Sequence, residues 1–245
     1  MAAIDAQVST GLASLDRVFR GIMAGDNIVW QVDSIEDYRP LVEPFCQYAR
    51  EKGRKLVYFH FARHAALVPE GPGVDVQVLD PGEGFEPFLT AIHNTIERTG
   101  RGAYYVFDGL SDLVADWYSD QMLGNFFMLT CPYLYDLETV AYFALLRGHH
   151  SFHATAPILD TTQLFNDVYR HHHELYVRPL KVQQRYSPIM HMLHVWRGNE
   201  FLPVSDSITI AEILTLTPWS GLKTNDPRLD VWNRTFLEVE EVLEA

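Results

Sequence analysis

Hydrophobic and polar residues divide the chain into short apolar runs and longer stretches with helical spacing. Runs rich in β-branched and aromatic residues predict strands over 27–32, 55–61, 75–79, 103–107 and 139–146. Apolar residues three and four positions apart predict helices over 10–21, 37–52, 85–98, 112–129 and 157–170. Strands that alternate with helices are typical of an α/β domain with a mostly parallel sheet flanked by helices.

The pattern changes after residue 170. Apolar stretches predict antiparallel strands over 174–182, 190–196 and 201–204, with a hairpin turn at 197–200, at the C-terminal edge of the sheet. An irregular stretch and an acidic amphipathic helix over 229–243 follow. We therefore expect one domain over residues 1–216, and a segment over 217–245 that caps this domain or connects it to another.

Composition narrows the function classes. The 245 residues are 47% hydrophobic and 13% aromatic, enough for a sizeable core. A formal charge of -13 argues against a nucleic-acid partner, because such proteins need basic residues along the phosphate backbone. Cys46 and Cys131 have no spacing of a disulfide framework or a cysteine zinc site. Without a signal-peptide pattern or a bilayer-spanning apolar run, we expect a cytoplasmic location and no membrane partner.

Four segments of the sequence have a recognisable order and spacing: the lead-in Thr10-Gly11 with Leu15-Asp16, Gly25 before a strand, an apolar run ending in Asp108, and the late strand Leu180-Lys181-Val182. Together they resemble RecA-like ATPases, most closely the KaiC-like branch, in which the run ending in aspartate is the Walker B strand. The resemblance covers residues 9–205 and implies a RecA-like fold with a nucleotide cleft. It also implies that Lys181 and Arg185 lie near a neighbouring subunit, as possible interface residues.

The phosphate loop of that family, G-x-x-x-x-G-K-[S/T], is degenerate here. Counting from Gly25 without gaps puts Val32 and Asp37 at the glycine positions, Tyr38 at the lysine and Arg39 at the Ser/Thr. Glycines let backbone N–H groups curl round phosphates, which β-branched Val32 resists. Tyr38 cannot neutralise phosphate charge.

Carboxylates crowd the same place. Asp33, Glu36 and Asp37 would each repel a phosphate charge by about 4 kcal/mol at ~4 Å and an effective dielectric near 20, and Arg39 alone does not cancel this. The former nucleotide site consists of these residues together with the other aligned positions: Asp33, Ser34, Glu36, Asp37, Tyr38, Arg39 and Asp108. Mg-ATP binding is not expected, and no cofactor is predicted.

The catalytic glutamate of the family is missing as well. Ala62 and Arg63 stand where it is expected, between His60 and His64, so no base remains to orient a water. We interpret the chain as a pseudo-ATPase: a non-catalytic RecA/KaiC-like domain for interaction, regulation or oligomerisation. The stretch 25–33 is similar to N-termini of longer proteins that resemble phosphoenolpyruvate synthases and pyruvate-phosphate dikinases, which implies such an enzyme as attached domain or protein partner.

Two other functions stay open. The carboxylates of the former cleft could bind a small cationic or hydroxyl-rich ligand, or a divalent metal. A metal-dependent enzyme could use Asp108 with His149 and His153, which would share one face of a helix if that segment is helical. The run 171–174 is interpreted as histidines at a helix end. A dense aromatic set is predicted to be core or subunit interface: Trp117, Tyr118, Phe126, Phe127, Tyr133 and Tyr135.

Overall fold

The computed structural model of the protein describes residues 8–215. Within this range nine strands form one sheet: β1 (Asn27–Val32), β2 (Leu56–His60), β3 (Asp75–Val78), β4 (Tyr104–Gly109), β5 (Val140–Leu146), β6 (Leu164–His171), β7 (Glu174–Val182), β8 (His194–Arg197) and β9 (Glu200–Pro203). The spatial order is β3-β2-β4-β5-β1-β6-β7-β8-β9. Strands β1 to β6 are parallel, and β7, β8 and β9 extend the sheet antiparallel from β6. The predicted α/β class and its C-terminal hairpin are confirmed.

In the described part of the chain seven helices accompany the sheet: α1 (Ala13–Phe19), α2 (Ile35–Glu51), α3 (Phe85–Thr99), α4 (Leu113–Trp117), α5 (Gln121–Asp136), α6 (Phe152–Thr161) and α7 (Ser207–Thr215). Short 3₁₀ turns lie at Pro81–Glu83 and Leu110–Asp112. None of the described helices is both long and apolar enough to cross a bilayer. The segment and helix predicted over 217–245 lie outside the described residues.

An apolar layer of buried side chains covers each face of the sheet. Helices α1 and α2 cover one face, where Phe45 of α2 stacks on Tyr142 of β5 with ring centroids 3.9 Å apart. Helices α3 to α6 cover the other face, where Phe107 and Phe143 stack at 4.4 Å. Since alternate side chains of a strand point to opposite faces, runs such as β4 must be apolar throughout. This explains why the central strands were predictable from the sequence.

The helix predicted over 157–170 is wrong in its second half. Helix α6 ends at Thr161, and Leu164–His171 forms the strand β6 beside β1. Asn166 and Asp167 make this stretch look like an amphipathic helix, but both are buried within the sheet. Pairing with neighbouring strands decides the conformation here: β1 pairs with Leu164–Asp167 on one side, and β7 pairs along the strand on the other.

The helix predicted over 112–129 is also wrong as a single element. Tyr118 has a φ of 53° and ends α4 in the left-handed region, after which α5 begins at Gln121. Of the predicted aromatic set, Phe126 and Phe127 are buried in the core, while Tyr118 and Tyr135 are exposed. The set is thus divided between core and surface.

The histidine run 171–174 was predicted to lie at a helix end, and this is wrong. It forms the connection between β6 and β7. His171 pairs with Glu174 across a two-residue turn between β6 and β7. His172 and His173 form that turn with φ of 45° and 67°. Two consecutive left-handed residues fit the turn that matches strand twist, although asparagine and glycine are its usual residues.

The lead-in before α1 is fixed by one carboxylate and one glycine. Asp16 accepts hydrogen bonds from the Thr10 amide at 2.9 Å and from the Thr10 hydroxyl at 2.7 Å. Gly11 has a φ of +81°, and a Cβ there would lie 2.1 Å from the carbonyl oxygen of Pro44. The backbone therefore passes directly over α2, which leaves no space for a side chain.

We expect Gly11→Ala to destabilise the fold more than Gly53→Ala. Gly53 also has a positive φ, +63°, but a Cβ there would meet nothing within 4 Å. Gly53→Ala should cost about 1–2 kcal/mol of unfolding free energy from the backbone alone. Gly11→Ala should cost about 1–3 kcal/mol more because the methyl group overpacks against α2. Urea unfolding of both variants measures this difference, and equal losses would contradict the close packing.

Candidate functional site

The carboxyl ends of the parallel strands meet at one edge of the sheet, where α/β proteins usually bind ligands. The structure brings several predicted site residues to this edge. Asp33 and Ser34 follow β1, Asp108 is the second-to-last residue of β4, and His149 lies shortly after β5. Arg185 follows β7, which runs antiparallel, and so lies at the opposite edge.

The connection between β1 and α2 consists of two residues. Val32 is the last residue of the strand, and Ile35 is the first of the helix. Ser34 caps the helix: its hydroxyl accepts from the Glu36 amide at 3.3 Å, and its carbonyl accepts from the Asp37 amide at 2.9 Å. This region therefore holds no loop of free amides that could wrap round a phosphate group.

Tyr38, aligned with the phosphate-binding lysine, belongs to the core. It lies in the first turn of α2, and its side chain is fully buried between this helix and the sheet, with its ring 6.5 Å from that of Tyr142. Its hydroxyl donates to the carbonyl of Phe107 at 3.5 Å. Burial raises the pKa of Tyr38 well above its ordinary value, so the phenol stays neutral.

Arg147, the first residue after β5, crosses this edge. Its Nε donates to Asp33 Oδ1 at 2.8 Å, and its Nη1 lies 2.9 Å from Asp167 Oδ1. Its Nη2 donates to the carbonyl oxygens of Gln31 at 3.3 Å and Val168 at 2.6 Å. One guanidinium therefore joins the ends of three adjacent strands, β5, β1 and β6.

The environment of this arginine favours the charged form of the guanidinium. The guanidinium lies over the ring of Tyr169 at 4.1 Å, and the Tyr169 hydroxyl donates to Asp167 at 2.9 Å. Burial alone would lower the pKa of Arg147, but Asp167, Tyr169 and Asp33 raise it above its ordinary value. Burial raises the pKa of Asp167, and Arg147 opposes that rise.

The other two carboxylates of the former cleft also have arginine partners. Asp37 is buried and accepts from Arg170 Nε at 2.5 Å. Glu36 pairs with Arg39 at 3.2 Å on the helix surface. The sequence-based picture of three carboxylates with a single basic neighbour is therefore wrong, because Arg147 and Arg170 come from distant strands. Each of the three carboxylates therefore has an arginine partner.

Asp108, at the Walker B-like position, is fully buried and has four protein partners. The Tyr58 hydroxyl donates to Oδ1. His60 Nδ1 lies 2.6 Å from Oδ2, which also accepts from the amides of Phe61 at 2.8 Å and Ala62 at 3.0 Å. These contacts hold the end of β2 to the end of β4. A carboxylate with this many donors acts as a structural hub rather than an open metal ligand.

Two further polar groups lie beside Asp108. His64 Nε2 is 3.9 Å from Asp108 Oδ1. Burial raises the pKa of Asp112, and the nearby Asp108 adds to this, whereas His64 lowers it. A Cβ on Gly109 would lie 3.5 Å from an oxygen of Asp112 and 3.8 Å from His64 Nε2, which shows how closely these groups surround it.

Ser111 and His150 form a pair that the sequence analysis did not find. Ser111 Oγ lies 2.6 Å from His150 Nε2 and accepts from the Leu146 amide at 2.8 Å. Burial lowers the pKa of His150 to about 4, and His149 adds to this effect. So weak a base would not activate a serine efficiently near neutral pH. The pair instead ties the turn after β4 to the end of β5.

The predicted metal ligands after β5 do not meet. His149 lies in the loop before α6, whereas His153 is exposed in the first turn of that helix. The expectation that the two histidines share a helix face is therefore wrong, because His149 is not in the helix. His149 is instead next to the ring of His150, with centroids 6.5 Å apart.

The residues predicted to face a neighbouring subunit are used within the chain. Arg185 is buried, and its guanidinium donates to Asp26 at 2.8 and 3.0 Å and to the carbonyl of Gly21 at 2.7 Å. Lys181 Nζ donates to the carbonyls of Leu159 at 2.7 Å and Asp160 at 2.9 Å, at the end of α6. Arg185 in particular cannot reach a partner without breaking a buried ion pair.

No family model matches the sequence, and the curated proteins give no significant match. The site is therefore interpreted from its own geometry. Sequence reasoning missed Arg147 and Asp167 because their partners are far apart along the chain. The available signal was a charged residue immediately after a buried strand, at an edge that already carried Asp33.

We expect Arg147→Met to cost about 3–5 kcal/mol of unfolding free energy near pH 7, since it leaves buried Asp167 without its ion-pair partner. The control Arg39→Met removes a half-buried arginine whose carboxylate partner, Glu36, is exposed, and should cost about 0–1 kcal/mol. Removing Arg147 also removes the group that holds down the pKa of Asp167. A carboxyl with a higher pKa in the folded than in the unfolded state favours folding once protonated.

The loss in Arg147→Met should therefore shrink as the pH falls from about 7 towards the ordinary aspartate range of about 4. Urea unfolding of both variants at several pH values measures this. A loss as small as that of Arg39→Met, or one that grows on acidification, would contradict a buried Arg147–Asp167 pair.

Proposed function

We propose that the chain is a non-catalytic RecA/KaiC-like domain, a pseudo-ATPase that serves as an interaction or regulatory module. The observation that carries this proposal is the two-residue connection between β1 and α2. A phosphate loop needs several non-helical residues whose amides converge on the phosphates. Here only Asp33 and Ser34 lie between the strand and the capped helix, which is too short for such a loop.

The remaining groups at the edge support the same conclusion. In ATPases a positive charge and a metal-binding carboxylate stay available to the nucleotide. Here Arg147 is engaged by Asp33 and Asp167, and Asp108 by donors from β2 and the residues after it. Binding Mg-ATP would require these buried contacts to break before any new ones form.

The two alternative functions are less well supported. A small ligand or metal in the former cleft would have to displace the arginines that pair with Asp33, Glu36 and Asp37. A metal-dependent enzyme built on Asp108, His149 and His153 would require ligands that the fold keeps in different places.

An exposed helix face supports the interaction role. The outward side of α5 carries apolar residues and only one charged residue, Asp136; the apolar ones are Met128, Leu129, Pro132 and Tyr135. Leu129 is 51% exposed, and the ring of Tyr135 lies against Gly25. Uncharged apolar faces of this kind are typical of protein interfaces. We assign this face to self-association of the domain. The attached domain or partner protein that the resemblance implies would be an enzyme of the phosphoenolpyruvate-utilising class.

Titration of the purified protein with Mg-ATP by calorimetry tests the loss of nucleotide function, with phosphate release followed in the same sample. We expect neither binding heat nor turnover. The same result is expected for Asp108→Asn, because the carboxylate has only a structural role. ATP hydrolysis that falls in Asp108→Asn would refute the proposal, and binding heat alone would show that another backbone arrangement holds the nucleotide.

Sedimentation of the protein over a range of concentrations tests the α5 face. We expect Leu129→Glu to weaken self-association at least about tenfold, since burying an unpaired charge costs well over 1.4 kcal/mol. Ile189→Glu is the matched control, because Ile189 is 44% exposed in the loop before β8. Self-association that is unchanged in Leu129→Glu, or equally weakened in both variants, would remove α5 as the interface.

A further inference from the structure

A group of side chains of the types that bind metals lies at the carboxyl end of β6, just beyond the contact of Arg170 with Asp37. His171 ends β6, His172 begins the turn that follows, and Glu212 projects from α7. One ligand atom from each lies within 4.8 Å of the others. His171 Nε2 is 3.3 Å from Glu212 Oε2, and the rings of His171 and His172 are 4.0 Å apart.

The donor set and its spacing suit zinc. Two imidazoles and a carboxylate are a ligand set that Zn²⁺ takes in sites with an open fourth position. Around a tetrahedral Zn²⁺ with bonds of about 2.0–2.1 Å, two ligand atoms lie roughly 3.3–3.4 Å apart. His171 and Glu212 already have this separation, and His172 is exposed and can approach by side-chain rotation.

The neighbouring polar groups do not compete for this position. Glu174, across the hairpin from His171, accepts from Arg197 at 2.5 and 2.9 Å and from the Tyr176 hydroxyl at 3.1 Å. His173 belongs to a different surface, where it lines a shallow groove with Pro40, Arg170 and Trp196. Glu174 is therefore held by Arg197 and Tyr176 although His172 lies near it, and His173 points to another surface.

We propose that His171, His172 and Glu212 bind one Zn²⁺ ion, with the fourth position open to water or to a ligand atom from elsewhere. The ion would join α7 to the β6–β7 hairpin. At present α7 is held to this face of the sheet by a small apolar cluster, in which Ile213 packs with Tyr169 and Tyr176. Zinc would therefore act as a clasp between this helix and the sheet.

Zinc binding to the protein purified without an affinity tag tests the proposal, by competition with a chromophoric chelator and by the visible absorption of bound Co²⁺. We expect one ion per chain. His172→Asn and Glu212→Gln should each weaken the affinity at least about tenfold. Asparagine adopts the left-handed conformation readily, so His172→Asn removes the ligand without disturbing the turn.

His173→Asn is the matched control, because it makes the same change one residue further on and should leave the zinc affinity unaltered. Far-UV circular dichroism of every variant confirms that it is folded. No zinc binding by the wild-type chain, binding that His172→Asn leaves intact, or an equal loss in His173→Asn would each overturn the proposal.

Discussion

The arrangement of this fold depends on one buried arginine. Arg147 makes ion pairs with a residue after β1 and a residue within β6, and it donates to main-chain carbonyls of both strands. Removing such a charge from water is costly, and only good geometry with several partners offsets the cost. Here the guanidinium has carboxylates on two sides and an aromatic ring over its face. The strands it joins are those around which the sheet is centred.

Similar contacts fill the carboxyl edge of the sheet, where α/β proteins usually bind ligands. A binding site needs polar groups that are held in place but still have free hydrogen-bonding capacity. At this edge Asp108 accepts from three residues of the β2 end and from Tyr58, and Ser111 joins β4 to β5. Helix α2 begins so early that the connection consists only of Asp33 and the capping Ser34. Exposed apolar side chains lie instead on the outer face of α5.

Structural features that depend on residues close together in the sequence could be predicted, whereas those that depend on residues far apart along the chain could not. Strand β1 was predicted with its observed bounds, 27–32, because an apolar run between glycine and polar residues is a local signal. Strand β6 was mistaken for helix because Asn166 and Asp167 are polar but buried, which only the neighbouring strands make possible. The importance of Asp108 was visible from its position after an apolar run. Its partners, and those of Arg147, were not, because they are brought together by the order of strands rather than by spacing along the chain.

The position of β1 in the sheet has a consequence for how the protein is made. Asn27 pairs with Ala141 and Ile28 with Leu164, so both neighbours of this first strand lie far along the chain. During synthesis β1 leaves the ribosome long before either neighbour, with Ile28, Val29 and Trp30 unable to pair. Non-local pairing of this kind slows folding and leaves apolar strands exposed to aggregation. The nascent chain should therefore depend on chaperones until β6 has been synthesised, and a product truncated before β5 should be insoluble.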